Sequence, residues 1–240
     1  MVVTLGMAKG GVWKSTLAMN IAGVLANQNH SVCIVDSDPR ETCNNNVRRR
    51  NEYNERQRSQ GKPTVPEIHC QIKRPEDSLN KHLEKLDEDF DYVIVDTGGY
   101  ENKAFKSAVA VSDLIYLPFF PCTDDMDNLV PTLNVIVETE GYIRNVYPDE
   151  HIDARLIVTG ADHNSKDLLV EALEFSRDLL PYASISSAVI QRVKKVVTIK
   201  DDGLTLADIK HPKRSMFELL VDEINGKREV KYQREMVTEE

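Results

Sequence analysis

Lys9-Gly10-Gly11-Val12-Trp13-Lys14-Ser15-Thr16 decides how this chain reads. It follows an apolar run, Val2-Val3-Thr4-Leu5, and leads into an amphipathic one from Leu17 to Leu25, which predicts strand, loop, helix. A glycine-rich turn in that setting bares successive backbone N–H groups around a phosphate, and the helix behind it aims the positive end of its dipole at the same point. Lys14 then supplies a mobile cation for the phosphates and Ser15 a hydroxyl for Mg²⁺.

The general phosphate-loop pattern wants glycine where Ala8 and Trp13 stand, so the strict form fails. The deviant form, Lys-Gly-Gly-x-Gly-Lys-Ser/Thr-Ser/Thr, is matched by Lys9, Gly10, Gly11, Lys14, Ser15 and Thr16 and missed only at Trp13. With that extra leading lysine the chain resembles the ParA/MinD family of dimerising ATPases. The resemblance implies that Lys9 to Thr16 hold ATP or ADP with Mg²⁺, and that Lys9 reaches across a homodimer, formed on ATP binding, to the partner's nucleotide. Glycine at position 13 would let the backbone approach the β-phosphate without a Cβ and with positive φ where needed. The indole of Trp13 fills the cradle, or swings outward and leaves a distorted one, or is an introduced change that disables the site; the sequence is compatible with all three.

Further along, Ser31-Val32-Cys33-Ile34-Val35-Asp36 reads as a buried strand ending in Asp36-Ser37-Asp38-Pro39-Arg40. Acidic residues at the carboxyl end of a parallel strand sit at the crevice where α/β proteins bind ligands. By resemblance, Asp38 orients the attacking water and Asp36 supports the Mg²⁺ shell, with Arg40 standing where the family usually has glutamine; a helix cap after Pro39 is the alternative. Phe90-Asp91-Tyr92-Val93-Ile94-Val95-Asp96-Thr97 is a second such strand, and its terminal Asp96 is the residue expected to hold Mg²⁺ through water. The metal set is therefore Ser15, Asp36 and Asp96, and the catalytic set Lys9, Lys14 and Asp38. Gly98-Gly99 reads as a flexible switch segment near the γ-phosphate.

Other strands are expected at 67–72, 113–118, 154–159 and 185–189, and helices at 79–86, 104–111, 124 to about 138, and 168–180, the last ended by Pro181. Residues 41–64 are polar. Arg48, Arg49, Arg50, Arg56 and Arg58, interleaved with Glu52 and Glu55, read as a mixed-charge helix face, with contact to DNA or a partner as the second reading. The loop 160–164 falls where the family holds adenine, although its identities match no trusted pattern. Strands alternating with helices predict an α/β fold, a doubly wound, mostly parallel sheet with helices on both faces, of the phosphate-loop ParA/MinD type. One ATPase domain is expected over residues 1–228. The charged tail 229–240 is expected to extend the last helix and then fray.

Composition bounds the function. The 240 residues are 41% hydrophobic and 29% charged, globular values, and no apolar run approaches a membrane span. With Met1 entering the first strand almost at once, neither a secretory signal nor an N-terminal DNA-reading module is expected, and Cys33, Cys43, Cys70 and Cys122 lack paired spacing, as suits reduced thiols. A net charge of −9 argues against a generally basic coat but leaves room for a local basic patch. By resemblance that patch is Arg192, Lys194, Lys195, Lys213 and Arg214, touching phosphates of non-specific DNA; Asp201, Asp202 and Asp208 nearby make a solvated helix surface the competing reading.

The function implied is a cytoplasmic, nucleoid-associated ATPase that partitions a plasmid or chromosome, with a ParB-like or other adaptor stimulating hydrolysis. Positioning of a protein organelle is the close alternative. A non-catalytic DNA- or partner-binding scaffold disabled by Trp13 is the alternative of a different class. No membrane partner is expected, because the tail lacks an apolar face.

Overall fold

The computed structural model describes residues 1–7, 11–99, 102–162 and 166–235. Among them one sheet is built from β1 (Val2–Leu5), β2 (Val32–Ser37), β3 (His69–Ile72), β4 (Tyr92–Thr97), β5 (Leu114–Phe119), β6 (Ala154–Ala161) and β7 (Ser184–Gln191). Its order is β3-β2-β4-β1-β5-β6-β7, and every named pair is parallel. β1 thus sits near the middle, and its first residues pair with a strand from far along the chain, Val2 with Val93.

The inner strands β1, β2, β4 and β5 are nearly continuous buried apolar runs because both their faces are covered, whereas β3, at one edge, and β7, at the other, carry polar residues. Val3, Leu5, Ile34 and Ile94 pack into one cluster with Leu17, Ile21 and Leu25 of α1 (Lys14–Asn27) and Phe217, Leu220 and Val221 of α9 (Ser215–Ile224). Their chain neighbours Val2, Cys33, Val35, Val93 and Val95 point the other way, onto Leu83 and Leu86 of α3 (Asn80–Asp89) and Ala104 of α4 (Lys103–Val109). A third cluster joins β5 and β6 to Leu129 and Leu133 of α6 (Leu129–Arg144) and Ala172 of α7 (Lys166–Arg177). This is the doubly wound α/β architecture that the alternating pattern predicts. Burying each large α1 side chain contributes about 1.5–3 kcal/mol.

Three local expectations differ from the structure. The helix expected from Asp124 onward is broken into α5 (Thr123–Asp127) and α6, with Asn128 between them. Pro131 has no N–H to bond back to the preceding turn. The tail does not prolong α9, which ends at Ile224. Gly226 turns the chain at φ 67°, and Tyr232 then pairs antiparallel with Ile185 at the start of β7. Arg234 fastens this return segment through an ion pair to Glu140 at 2.7 Å.

The third difference concerns α2 (Thr42–Ser59), whose arginines do not form a uniform solvated face. Arg50 is fully buried and grips Asp208 with both terminal nitrogens, at 2.7 and 2.8 Å. Asp208 also accepts from Asn27 of α1 at 3.0 Å and closes a capping box with Thr205. The Leu206 N–H donates to Asn20 of α1 at 3.0 Å. The short 3-10 turns after β7 therefore clamp α1 and α2 together, and these are the helices that follow the phosphate-type loop and the Asp36 box. Arg56 and Arg58, further along α2, pair with Asp202 and Glu67.

Gly203 makes the clamp possible. At φ 67° it lies against the α2 backbone, and a Cβ there would stand 2.2 Å from the Arg50 nitrogen and 2.3 Å from the Asn46 oxygen. Gly203→Ala is expected to cost about 2–4 kcal/mol from strain and displacement of the clamp, read as a fall in the denaturant midpoint. A loss under about 0.5 kcal/mol would show that the close approach does not matter.

Candidate functional site

The carboxyl ends of β1, β2 and β4 open on a cavity of about 470 Å³, lined by Gly11, Trp13, Lys14, Ser15, Thr16, Asp38, Pro39, Arg40, Thr42 and Gly98. Strand register explains the convergence. Leu5 pairs with Asp96, and Asp96 with Asp36, so three strand ends stop at one level. The loop between β1 and α1 is held from behind by Thr159 of β6, whose hydroxyl donates to the carbonyls of Val12 and Phe119, both at 3.2 Å.

Trp13 adopts the left-handed conformation, φ 68° and ψ 18°, immediately before the first turn of α1. That is the conformation a glycine would supply at no steric cost, and an indole-bearing residue holds it at a cost of about 1–3 kcal/mol. The backbone at position 13 therefore keeps a glycine-like conformation, and the half-buried indole packs against the core cluster under α1. Gly11, at φ 91°, has open space where a Cβ would be.

Lys14 is buried, with Nζ 3.5 Å from the Met7 carbonyl. Burial lowers its pKa, and the carboxylates of Asp96 and Asp38 oppose that shift. Asp96 is fully buried, and its pKa is pushed up to about 6 by burial; the Ser15 hydroxyl bonded to it pulls the other way. One of its oxygens, Oδ2, accepts from the Cys43 thiol at 3.2 Å, while Oδ1 has no hydrogen-bond partner. A buried carboxylate oxygen left over beside a lysine and a serine fits a metal-bound water. Asp36 is equally buried, but both its oxygens serve the chain: Oδ1 accepts from the Asp38 N–H at 3.1 Å and Oδ2 from the Asn44 N–H at 2.9 Å. Asp38 lines the cavity itself and accepts from the Arg40 N–H at 2.8 Å. The structure thus brings Gly11, Val12, Trp13, Lys14, Ser15, Thr16, Asp38 and Asp96 to one place, with Asp36 behind the loop. Lys9 and Gly10 lie outside the described residues, as do His163 and Asn164 of the expected adenine loop.

The family model described as ATPase MipZ matches residues 1–168. The chain belongs to the MipZ family of ParA/MinD-type ATPases. No curated protein sequence matches this MipZ-family chain. Among solved structures it is similar to the MinD cell division protein of Aquifex aeolicus, at 20% identity over 97% of this chain and 99% of that one, with a TM-score of 0.68. A putative plasmid partition protein of Borrelia burgdorferi bound to AMPPNP aligns at 17% identity over 95% and 99%, TM-score 0.64. The ParA of pNOB8 bound to nonspecific DNA aligns at 15% over 95% and 99%, TM-score 0.60. At these identities the likeness is one of fold, and it is the phosphate-loop fold that the strand order already describes.

The basic residues expected to face DNA do gather. Arg192, Lys194 and Lys195 are exposed where β7 passes into α8 (Lys194–Ile199), and Lys213 reaches Gln191 in the same region at 2.6 Å. Arg214 is engaged with Glu218. Arg192 and Lys194 also line a groove with Trp13. Three features escape sequence reasoning in this MipZ-family chain. The Cys43 thiol under Asp96 and the Thr159 prop behind Val12 leave no local pattern. Nor does the Arg50–Asp208 pair, whose members are far apart in the chain. Among the described residues no helix is long and apolar enough to cross a membrane.

Proposed function

We propose that the chain is an ATPase that binds ATP between two copies of itself, associates with non-specific DNA in that state, and positions or partitions a cargo. The supporting observation is the convergence of Lys14, Ser15 and Asp38 on one cavity beyond the strand ends, with the buried Asp96 hydrogen-bonded to Ser15 behind it. Backbone N–H groups of the loop and the start of α1 receive the phosphates, and Lys14 neutralises charge on them. Asp38, on the cavity wall, orients a water for attack, and Asp36 fixes the loop that carries Asp38. Ser15 and Asp96 would hold Mg²⁺, which when bound neutralises the charge that develops on the phosphates. Catalysis here is positioning and charge stabilisation, with water attacking the γ-phosphorus directly and ADP leaving, and no covalent enzyme intermediate.

Lys9 is assigned to the partner's nucleotide, so that each site is completed by the other copy. A ParB-like or other adaptor would stimulate hydrolysis and so release the dimer from a nucleoid-associated state. The AMPPNP-bound partition protein and the DNA-bound ParA support the class of ligand. Retention of a 470 Å³ cavity beside Trp13 favours a working site over a disabled scaffold.

Sedimentation velocity with and without ATP and Mg²⁺ tests the core of the proposal: ATP is expected to convert monomer to dimer, and a sedimentation coefficient unmoved by saturating ATP would refute it. Reversing charge at Arg192, Lys194, Lys195, Lys213 and Arg214 together is expected to cut affinity for mixed-sequence DNA by at least about 100-fold at low salt. Equal DNA retention by that variant would move the contact elsewhere, first to Arg48, Arg49, Arg56 and Arg58.

A further inference from the structure

Trp13 stands between two cavities. The phosphate-side cavity of about 470 Å³ and a neighbouring groove of about 440 Å³ have two lining residues in common, Trp13 and Thr16. The groove is completed by Arg192, Val193, Lys194, Val196, Val197 and Lys200, from the link after β7, from α8 and from the first residue beyond it. Its character is mixed: valine side chains and an indole supply flat apolar surface, and three cations stand around them. A molecule that spans both cavities needs a polyanionic part for one and a planar apolar part for the other. Nucleoside triphosphates have that shape, and the bridging sugar would pass Thr16.

We propose that Trp13 is this chain's nucleobase-positioning residue, its indole forming the wall on which the base of a bound nucleoside triphosphate stacks in the groove of Val193, Val196 and Val197. The inference rests on the nucleotide reading above and assigns a purpose to the residue that departs from the phosphate-loop pattern. The backbone at position 13 keeps the left-handed conformation a glycine would give, and the side chain packs against the cluster that contains Val193 and Val196 of the groove. Aromatic stacking tolerates any base but favours the larger purine rings.

The chain carries a single tryptophan, so its emission reports on position 13 alone. The experiment titrates the full-length protein with ATP, CTP, inorganic triphosphate and a short mixed-sequence DNA, each with Mg²⁺, following tryptophan fluorescence and, in parallel, calorimetric affinity. Wild-type emission is expected to be quenched by ATP more than by CTP, and by either more than by triphosphate, which fills the phosphate-side cavity alone; DNA is expected to leave it unaltered. Trp13→Gly is expected to lower the ratio of ATP affinity to triphosphate affinity about tenfold, and Trp13→Phe to restore most of it. Taking the ratio cancels whatever the substitution does to the loop itself.

An unchanged ratio in Trp13→Gly, with both ligands bound, overturns the stacking role and leaves the ATPase reading intact. Binding by Trp13→Gly alone means that the indole blocks the cradle; this also overturns the proposal and supports the scaffold reading. Binding by neither protein overturns the nucleotide reading itself. Quenching by DNA in place of ATP reassigns the groove to nucleic acid and overturns the proposal as well.

Discussion

Asp208→Ala is expected to lower the unfolding free energy by about 3–5 kcal/mol, the loss typical of a buried ion pair broken on one side. The magnitude follows from what stays behind. Arg50 would remain fully buried, with its Nε still bonded to the Pro66 carbonyl at 2.8 Å but two charged nitrogens deprived of their carboxylate. Asn27 and the Thr205 N–H would lose the same acceptor. Urea denaturation at pH 7 measures the effect, and a change under about 1 kcal/mol would show that solvent reaches the clamp. Replacing both partners by apolar residues, Arg50→Met with Asp208→Leu, is expected to recover part of the loss, because no charge is then stranded.

The pair also sets an acid limit. Burial pushes the Asp208 pKa up, but the Arg50 hydrogen bonds and charge outweigh burial and hold the carboxyl below its ordinary value. A depressed folded-state pKa means that the unfolded chain takes up the proton first. The clamp's pH-linked contribution is thus complete above the unfolded carboxylate range, near pH 4, and is lost as pH falls through that range toward the folded value. Stability plotted against pH should fall less steeply on the acid side in the apolar double variant than in the wild type.

Lys14→Ala is expected to weaken ATP binding by about 100- to 1000-fold, about 3–4 kcal/mol at 1.4 kcal/mol per factor of ten. Lys14 is a buried cation at the mouth of the cavity, attracted by Asp96 and Asp38. Its removal leaves two carboxylates facing the incoming phosphates with no lysine between them, so repulsion adds to the lost attraction. Folding is not expected to suffer comparably, since burial already disfavours the charged form of this lysine. Calorimetric titration with ATP and Mg²⁺, alongside a melting curve without ligand, separates the two effects. Affinity within about threefold of wild type would remove Lys14 from the phosphate site.

How far the sequence carries can be judged residue by residue. β1, β2 and β4 are legible because buried parallel strands are short unbroken apolar runs, and the acids that close two of them, Asp36 and Asp96, fall in register. The loop before α1 is legible from Gly11, Lys14, Ser15 and Thr16. The return of the tail is signalled only faintly, by Gly226, because antiparallel pairing of Tyr232 with Ile185 depends on a partner strand that local pattern cannot name. Arg50 escapes for the same reason. In sequence it sits among arginines of a polar helix, and only the placement of Asp208 in space makes it interior. Asp36 shows a subtler limit: residue type and strand position announce an important carboxylate, but whether it holds a metal shell or the amides of Asp38 and Asn44 is decided by loop conformation.

The central place of β1 has a consequence for biosynthesis. A growing chain emerges at about 5–20 residues per second, so the first strand must wait roughly 5–20 s for the partner carrying Val93, and longer still for β5 on its other side. Throughout that interval a bare apolar segment and its loop precede everything they will join. Ribosome-bound helpers that shield such segments should therefore matter more to the yield of this protein than its final stability would suggest.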